Sequence, residues 1–319
     1  MNTTPSLWAV RMFALGAFTA TVWFCGPRAA EVLAARFGGT DAPGPTVALD
    51  RVGYLERPEW MTDDMLVSAS EFLSPWLSSE VGILDEAAAK RLREGLASTP
   101  WVHSVRIERS FPDRFLLNLE MRRPCLAVHA GDGAPLCLVD EAGVMLPWSS
   151  STLPFVRLYR QGGDTTMNVA FGERAQARRV VVAAMIASEW RTEVAPLVPE
   201  CPALLEVDST NLGERYIVGM QYPEIRVVVA RSDGAPVSLA YGRPPDSPLP
   251  RVLARTKASV LEKILERHRG LRGLIAGDLR VARRWADYLQ PRDPNRADPV
   301  EQWRESAPLS IPRRSKGGD

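Results

Sequence analysis

The amino-acid sequence predicts an α+β protein with a single transmembrane helix near its amino terminus. Three observations lead to this prediction. Residues 12–27 contain no charged side chain, residues 47–122 show the order strand, helix, helix, strand, strand, and residues 123–288 are rich in strand patterns that two long helices interrupt. A chain of 319 residues has room for two domains, so we expect a small α+β domain followed by a mixed β-sheet domain.

The composition excludes several classes of protein. Apolar residues make up 45% of the chain and charged residues 24%, which is ordinary for a folded protein and argues against wholesale disorder or several membrane spans. Lysine and arginine together number 39 and aspartate and glutamate 38. The resulting net charge of +1 gives no reason to expect nucleic-acid binding.

Short motifs of common enzymes and metal sites are missing from the sequence. No CxxC or CxxH spacing indicates a zinc finger, and no HExxH, GxSxG, GxxxxGK(S/T) or GxGxxG motif occurs. A carboxylate-based enzyme would carry no short signature. The sequence nevertheless favours a protein that is not an enzyme and has no cofactor and no metal.

The uncharged segment 12–27 has the length of a membrane anchor. Together with residues 7–10 it forms an apolar stretch of about 20 residues, which as a helix spans ~30 Å, the thickness of one hydrocarbon core. Arg11 interrupts the stretch near its start, where its long side chain reaches the headgroups, and Trp8 and Trp23 suit the two interfaces. We therefore expect a retained transmembrane helix. The positive residues on its two sides are nearly even in number and leave its orientation open.

Two other interpretations of this segment stay open. A cleaved signal peptide would need a site near Ala29 and Ala30, but a Pro-Arg pair comes directly before them. A lipoprotein would use Cys25, but Trp23 and Phe24 stand where small residues are needed. A retained anchor therefore fits the residues better than either alternative.

The first domain begins with a strand and two helices. A strand pattern covers residues 47–54. An apolar stripe with i, i+4, i+7 spacing predicts a helix over 62–77 with Thr62 as its N-cap. A second apolar stripe predicts a helix over 85–98 with Asp85 as its N-cap.

Two strands joined by a turn complete the first domain. Apolar and polar residues alternate over 102–109 and over 115–121, and the segment SFPD at 110–113 supplies the turn. We expect these strands to pair as a hairpin and both helices to pack on one face of the sheet. The predicted core residues are Trp101, Val102, Val105 and Ile107.

Strands and turns dominate the second domain. Strands are predicted at 126–128 and 136–139 around the turn sequence GDGAP, and a further turn at 140–143 precedes a strand at 144–146. The later elements are, in order, a helix at 173–191, strands near 204–208, 215–220, 225–230 and 237–241, a helix at 250–268 with Leu253, Val260, Leu261, Ile264 and Leu265 inward, and a last strand at 277–282. Proline and charge then predict a disordered tail.

One disulfide is an open alternative. Cys125 and Cys137 lie on the two strands around the GDGAP turn, and outside the cytoplasm they could be oxidised. If Asp132-Gly133 forms the turn, however, Cys137 lies opposite Val128 rather than opposite Cys125. The register therefore disfavours this bridge.

Several segments, in their order and spacing, resemble one family. The segments are 100–102 (PWV), 105–112 (VRIERSFP), 117–124 (LNLEMRRP), 138–144 (LVDEAGV), 225–242 (IRVVVARSDGAPVSLAYG) and 277–281 (GDLRV). Together they resemble the POTRA domain and the following β domain of the bacterial cell-division protein family FtsQ (DivIB), over about residues 47–285. The chain departs from the family pattern at 57–60 (RPEW) and at Val281, where the family has an aromatic residue.

The resemblance implies a single-pass protein of the cell inner membrane, with its bulk outside the cytoplasm, at the division septum. It implies a divisome scaffold that binds short bitopic coiled-coil subunits and the septal synthase complex, without catalysis and without nucleic acid. The implied parts are a short cytoplasmic tail 1–11, an anchor 12–27, a linker 28–46, a POTRA domain (β-α-α-β-β) 47–122, a β domain 123–288 and a disordered tail 289–319.

The resemblance also implies where partners bind. It places the main contact at the last strand and its surroundings. The residues concerned are Asp278, Leu279, Arg280, Val281, Arg284 and Trp285. Arg280, Arg283 and Arg284 favour a partner segment rich in Glu or Asp, and Trp285 can supply the ring that Val281 lacks.

Two other functions stay open at this point. A POTRA-containing export or assembly protein would carry a long carboxy-terminal barrel, but two long helices interrupt the chain after Arg122. A peptidoglycan-acting envelope enzyme would need a nucleophile with its base, or a metal site, and the sequence shows neither.

Overall fold

A computed structural model describes residues 46–48, 58–78, 80–82, 85–110, 114–158, 169–213 and 223–291. The predicted anchor at 12–27, the predicted strand at 215–220 and the chain beyond 291 lie outside these residues. Within the described ranges, no helix is both long and apolar enough to cross a membrane. The described chain is α+β, with a large mixed sheet and four α-helices, which confirms the α+β part of the predicted fold class.

The chain divides into two units. The described residues of the smaller unit are 46–48, those of Leu73–Ser98 and those of Val102–Glu120. The described residues of the larger unit are 58–72, 99–101 and those from Met121 onward.

The smaller unit contains short strands and helices. Its elements are β1 Thr46–Ala48, the end of α1 Asp63–Leu77, β2 Glu80–Gly82, α2 Glu86–Ala97, β3 Val102–Ser110 and β4 Arg114–Met121. Strands β1 and β2 pair antiparallel, and β3 pairs with β4. Strand β2 was not predicted, because three residues are too few to show an alternation.

Both predicted helix N-caps are confirmed. The Met65 N–H donates to Thr62 Oγ1 at 3.3 Å, and the Ala88 N–H donates to Asp85 Oδ1 at 2.9 Å. Each bond satisfies a backbone donor that the first turn leaves without a partner. The helices therefore begin at the residues that capping chemistry predicts.

The hairpin strands show the predicted alternation. Val105 and Ile107 are half-buried, whereas Arg106 and Glu108 are exposed. In the facing strand β4, Leu119 is buried. Period-two patterning therefore identified the faces of both strands correctly.

The larger unit is built on a nine-stranded mixed sheet. Its described strands are β5 Pro124–Ala130, β6 Pro135–Asp140, β7 Met145–Leu146, β8 Phe155–Leu158, β9 Leu204–Asp208, β10 Ile225–Ala230, β11 Pro236–Gly242, β12 Leu274–Asp278 and β13 Gln290–Pro291. The order across the sheet is β13-β12-β11-β10-β9-β8-β5-β6-β7. The pairs β5–β8, β8–β9 and β11–β12 are parallel, and the other pairs are antiparallel.

The register between β5 and β6 shows that Cys125 and Cys137 are not opposite each other. Cys137 lies opposite Val128, as the turn position predicted. Cys125, Cys137 and Cys201 are free thiols. Burial raises the pKa of the Cys125 and Cys137 thiols to about 12, so both are poor nucleophiles in the folded protein.

Two helices pack with this sheet around the main core. They are α3 Arg178–Glu189 and α4 Ala254–Arg267, and α4 connects the parallel strands β11 and β12. The core includes side chains from both helices and from the central strands, among them Ile186, Leu261, Val227 and Leu239, all fully buried. Helix α3 is buried on nearly every side, which is why its sequence lacks a polar face.

Helix α3 begins at Arg178, five residues after the predicted start. The preceding residues pair with the sheet instead. The Met145 N–H donates to Glu173 O at 2.9 Å, and the Gly172 N–H donates to Met145 O at 2.8 Å. These bonds cover the edge strand β7, and this long-range pairing outweighs the local helical pattern.

The predictions for α4 and the last strand need two corrections. Leu253 was predicted to face inward but is 48% exposed, because it occupies the N-cap position before the first helical turn. The last long strand is Leu274–Asp278 rather than 277–282. It stops at Asp278 because the carboxylate of that residue accepts the Arg280 N–H and turns the chain.

Trp101 belongs to a second core cluster, in the larger unit. Its side chain is fully buried, and its Nε1–H donates to Ser68 Oγ at 3.2 Å. The apolar residues of this cluster are Met61, Met65, Ala69, Trp101, Ala127, Leu138 and Leu146. Trp101 was predicted as a core residue of the hairpin domain, so its burial is confirmed but its assignment to that core is wrong.

Candidate functional site

The predicted partner-binding residues surround the carboxyl end of β12. Asp278 and Arg280 form a forked ion pair. Arg280 Nε lies 2.9 Å from Asp278 Oδ1, and Arg280 Nη2 lies 2.6 Å from Oδ2. The Asp278 side chain is 8% exposed and that of Arg280 is 18% exposed, so the pair is largely enclosed rather than a solvated surface pair.

The absence of a side chain at Gly242 leaves room for the Arg280 side chain. Gly242 has a φ of 103°, and a β-carbon at this position would lie within 3.2 Å of Arg280 Cδ. A glycine is therefore required here both by the backbone conformation and by the close approach of the arginine side chain. The end of β11 and the turn after β12 thus hold the forked ion pair together.

Leu279 and Val281 differ in their surroundings. Leu279 is fully buried in the main core, and its N–H donates to Ala240 O at 3.0 Å. Val281 is half-buried and lies outside the strand. Leu279 therefore acts as a packing residue and cannot contact a partner, whereas Val281 is partly accessible.

Arg284 and Trp285 begin the segment that returns along β12. Arg284 has a left-handed φ of 58°, and its Nε lies 2.8 Å from Asp287 Oδ2 in an exposed pair. Trp285 starts a short 3₁₀ turn and packs, half-buried, against the main core. The structure thus brings Asp278 and Arg280 together, whereas Arg284 has a different acidic partner.

Residues of the family-like motifs also form structural contacts. Arg122 Nη1 lies 3.0 Å from Asp140 Oδ2, and the Arg122 N–H donates to Trp101 O at 2.8 Å. Asp140 Oδ1 accepts the N–H groups of Ala142 and Val144 at 2.9 and 2.8 Å. The motif residues Arg122 and Asp140 therefore have a structural role, since Asp140 forms a turn and Arg122 pairs with it.

A buried charge network was not predicted. It joins the end of α3, strand β11 and the start of α4. Glu189 Oε1 accepts hydrogen bonds from the Tyr241 hydroxyl at 2.6 Å and from Lys257 Nζ at 3.1 Å. Glu189 Oε2 accepts a hydrogen bond from Arg251 Nη1 at 2.6 Å. Lys257 Nζ also lies 3.4 Å from the centre of the Tyr241 ring, within cation–π distance.

The network supplies negative charge near the start of α4. Helix α4 has no acidic residue in its first turn and no side-chain cap, and Glu189 pairs there with Lys257 of α4 and with Arg251 just before the helix. Helical backbone continues beyond Glu189 through Trp190–Val194 and Ala195–Leu197, so Glu189 lies within a longer helical run.

Burial and neighbouring charges shift the pKa values of Lys257 and Glu189 in opposite directions. Burial lowers the pKa of Lys257 to about 8, although the Glu189 carboxylate opposes this shift. Burial alone would raise the pKa of Glu189, but the hydrogen bond from Tyr241 and the charge of Lys257 hold it below its ordinary value. Both groups are therefore charged at neutral pH, as an ion pair.

The sequence contained a weak signal for this network. Lys257 is one of four lysines in the chain, and its spacing to Val260, Leu261 and Ile264 places it on the buried stripe of α4. Because the Lys257 and Glu189 side chains are only 1% and 3% exposed, they are not accessible to a substrate. These two groups therefore belong to the interior of the fold rather than to an open site.

An aromatic cluster lies on β5 and β8. The His129 ring stacks on Phe155 with centroids 5.0 Å apart, and it meets Trp148 edge-on at 5.5 Å. The guanidinium carbon of Arg157 lies 5.1 Å from the centre of the Phe155 ring. Burial, and then the charge of Arg157, lower the pKa of His129, so its imidazole is neutral at pH 7.

The described part of the chain contains no group of three or more His, Cys, Asp or Glu side chains placed to hold a metal ion. Comparison with known proteins adds no family to this geometry: no protein-family model and no curated protein matches the chain.

Proposed function

We propose that this protein is a single-pass inner-membrane scaffold of the bacterial division complex, similar to the FtsQ (DivIB) family. It binds short bitopic coiled-coil subunits and the septal synthase complex outside the cytoplasm, and it helps to regulate septal peptidoglycan synthesis. It has no catalytic role. The observation that carries this proposal is the order and spacing of the motif segments from Pro100 to Val281.

The order of the elements along the chain supports the proposal. Strand, helix, helix and two paired strands follow one another as in a POTRA domain, although β1 pairs with the additional strand β2 in a separate sheet and residues 63–72 of α1 belong to the larger unit. The motif residues Arg122 and Asp140 have a structural reason to occur together, since they form an ion pair at 3.0 Å. The resemblance therefore covers residues that interact, rather than isolated matches.

The charge around β12 supports a partner of acidic character. Arg283 is exposed, and Arg284 is exposed and paired with Asp287. A partner segment with Glu or Asp residues would be attracted to this end of the sheet, and such attraction raises the association rate more than the affinity. The partner contact is thus proposed at the Asp278–Trp285 segment.

Localisation of the full-length chain tests the proposal. A fluorescent protein at the amino terminus of the chain, expressed in its own cells, should form a band at the division septum. The Arg283→Glu variant should weaken this band, because it reverses an exposed charge at the proposed contact. Arg267→Glu is the matched control, since Arg267 is also exposed but belongs to α4.

Two results would contradict the proposal. A uniform envelope signal for the unmodified chain would exclude a septal scaffold. Equal septal bands for Arg283→Glu and Arg267→Glu would show that the partner does not bind next to β12. The sheet edge of the smaller unit would then become the candidate contact.

A further inference from the structure

The edge of the sheet next to β12 is already occupied by the chain itself. Residues Trp285–Pro291, which we call the strap, turn back after β12 and run along it. Strand β13 pairs antiparallel with β12, with Gln290 opposite Ala276 and Pro291 opposite Leu274. Strand β12 is therefore the second strand of the sheet and not the outermost one.

Two side chains attach the strap to the core. Leu289 and Trp285 are half-buried and pack against the main core. Gly277 leaves room for Leu289, because a β-carbon on Gly277 would lie 3.3 Å from Leu289 Cδ2. The strap therefore contributes one aromatic and one aliphatic side chain at the edge where the partner is proposed to bind.

The backbone pairing of the strap, as far as the structure describes it, is short. Within residues 285–291 it consists of two residue pairs, and Pro291 has no N–H to donate. Gln290 and Pro291 are both exposed. By comparison, β10 and β11 pair over six residue pairs. A short ladder with a proline at its end offers little resistance to exchange with a longer strand.

We propose that the strap is a displaceable substitute for a partner strand, and that a partner pairs with β12 only after the strap leaves. This inference rests on the proposed function, because it concerns how the same contact is regulated. The strap keeps the edge of β12 covered in the free protein, where an open strand edge would favour aggregation. The partner then gains the full length of Leu274–Asp278 as a template.

The contacts of the strap define one requirement for the partner that can replace it. The partner strand needs an aliphatic side chain over Gly277 in the place of Leu289. Trp285–Tyr288 form a 3₁₀ turn rather than a strand, so the spacing of Trp285 and Asp287 does not carry over to an extended partner. We therefore expect an acidic extended segment with an aliphatic side chain at this position.

A disulfide lock and a peptide probe test the strap directly. In the full-length chain, Ala276→Cys with Gln290→Cys places two thiols on directly opposite residues, so oxidation holds the strap in place. The probe is a fluorescent peptide with the strap sequence WADYLQP. The probe should bind the reduced double variant roughly tenfold or more tightly than the oxidised one. In the oxidised form the disulfide prevents the strap from leaving β12, so the strap competes with the peptide at its full effective concentration.

Matched variants separate strap release from general damage. Leu289→Ser removes an anchor and should increase binding of the WADYLQP peptide, whereas Tyr288→Ser changes an exposed neighbour and should not. A control lock, Ala230→Cys with Pro236→Cys, joins directly opposite residues of the β10–β11 hairpin and should leave peptide binding unchanged on oxidation. Equal peptide binding in the locked and reduced protein would overturn the proposal, whatever the stability of Leu289→Ser.

Septal recruitment distinguishes this inference from the proposed function. If both hold, the oxidised β12–β13 lock abolishes the septal band and the oxidised hairpin lock does not. If the unmodified chain never reaches the septum but the lock still blocks the peptide, the strap inference stands and the divisome proposal fails. A septal band that persists in the locked protein contradicts strap displacement and leaves the divisome proposal intact.

Discussion

Glu189 is the residue on which the buried network depends, since each cation of the network contacts its carboxylate. Glu189→Gln would leave Lys257 enclosed and without a counter-ion, so that its amine must either stay charged at high cost or lose its proton. Removal of one partner of a buried ion pair costs about 3–5 kcal/mol of the free energy of unfolding, so we expect a loss of that size. Urea unfolding of the full-length chain measures it.

The exposed pair Lys90–Glu94 provides the matched control. Its nitrogen and oxygen lie 3.8 Å apart, and both side chains are more than half exposed. Glu94→Gln should change the unfolding free energy by no more than about 1 kcal/mol, because solvent screens surface pairs. Equal losses for the two variants would mean that the Glu189 network contributes no more than a surface contact.

Trp101, from the segment PWV at 100–102, lies in the core of the larger unit. Because its ring is fully buried among Met61, Met65 and Leu138, Trp101→Ala should cost about 3–5 kcal/mol. Peptide-resolved hydrogen exchange should show faster exchange in β5 and β6 of the larger unit. Faster exchange in β3 and β4 alone would instead assign Trp101 to the hairpin, as the sequence had predicted.

At the scale of elements, Gly95 shows how packing overrides helix propensity. An exposed Gly→Ala change in a helix ordinarily gains about 1 kcal/mol. Gly95 lies against the ring of Trp76, and a β-carbon added at Gly95 would overlap ring atoms. Gly95→Ala should therefore destabilise the smaller unit by about 1–3 kcal/mol, measured as a lower midpoint of thermal unfolding.

A double variant identifies the cause. In Gly95→Ala with Trp76→Ala, the overlap is gone, so adding alanine to the Trp76→Ala background should raise the unfolding midpoint. If Gly95→Ala already raises the midpoint in the unmodified chain, then the ring of Trp76 does not restrict this helix position.

At the scale of the whole molecule, the proposed topology places the amino terminus in the cytoplasm and residues 38–319 outside. Alkaline phosphatase fused after Asp319 should be active, and a fluorescent reporter that folds only in the cytoplasm should stay dark at the same point. The same fluorescent reporter placed before Met1 is the control and should be bright. Bright fluorescence and an inactive phosphatase after Asp319 would reverse the topology.

Local chemistry explains the elements that the sequence determined by itself. Thr62 and Asp85 cap their helices because short polar side chains satisfy the first free N–H groups. The Asp140 turn and the register of Cys137 opposite Val128 follow from nearby residues along the chain. Alternation, capping and turn chemistry act over a few residues, so the sequence shows them directly.

Only the tertiary structure decided the later start of α3, the strap and the buried network. Residues 172–175 form long-range hydrogen bonds with the β7 edge, and the Gln290–Pro291 ladder requires a partner strand that lies earlier in the chain. Lys257 meets Glu189 across 68 residues of sequence. Such contacts depend on which surfaces the fold brings together, and no local pattern encodes that choice.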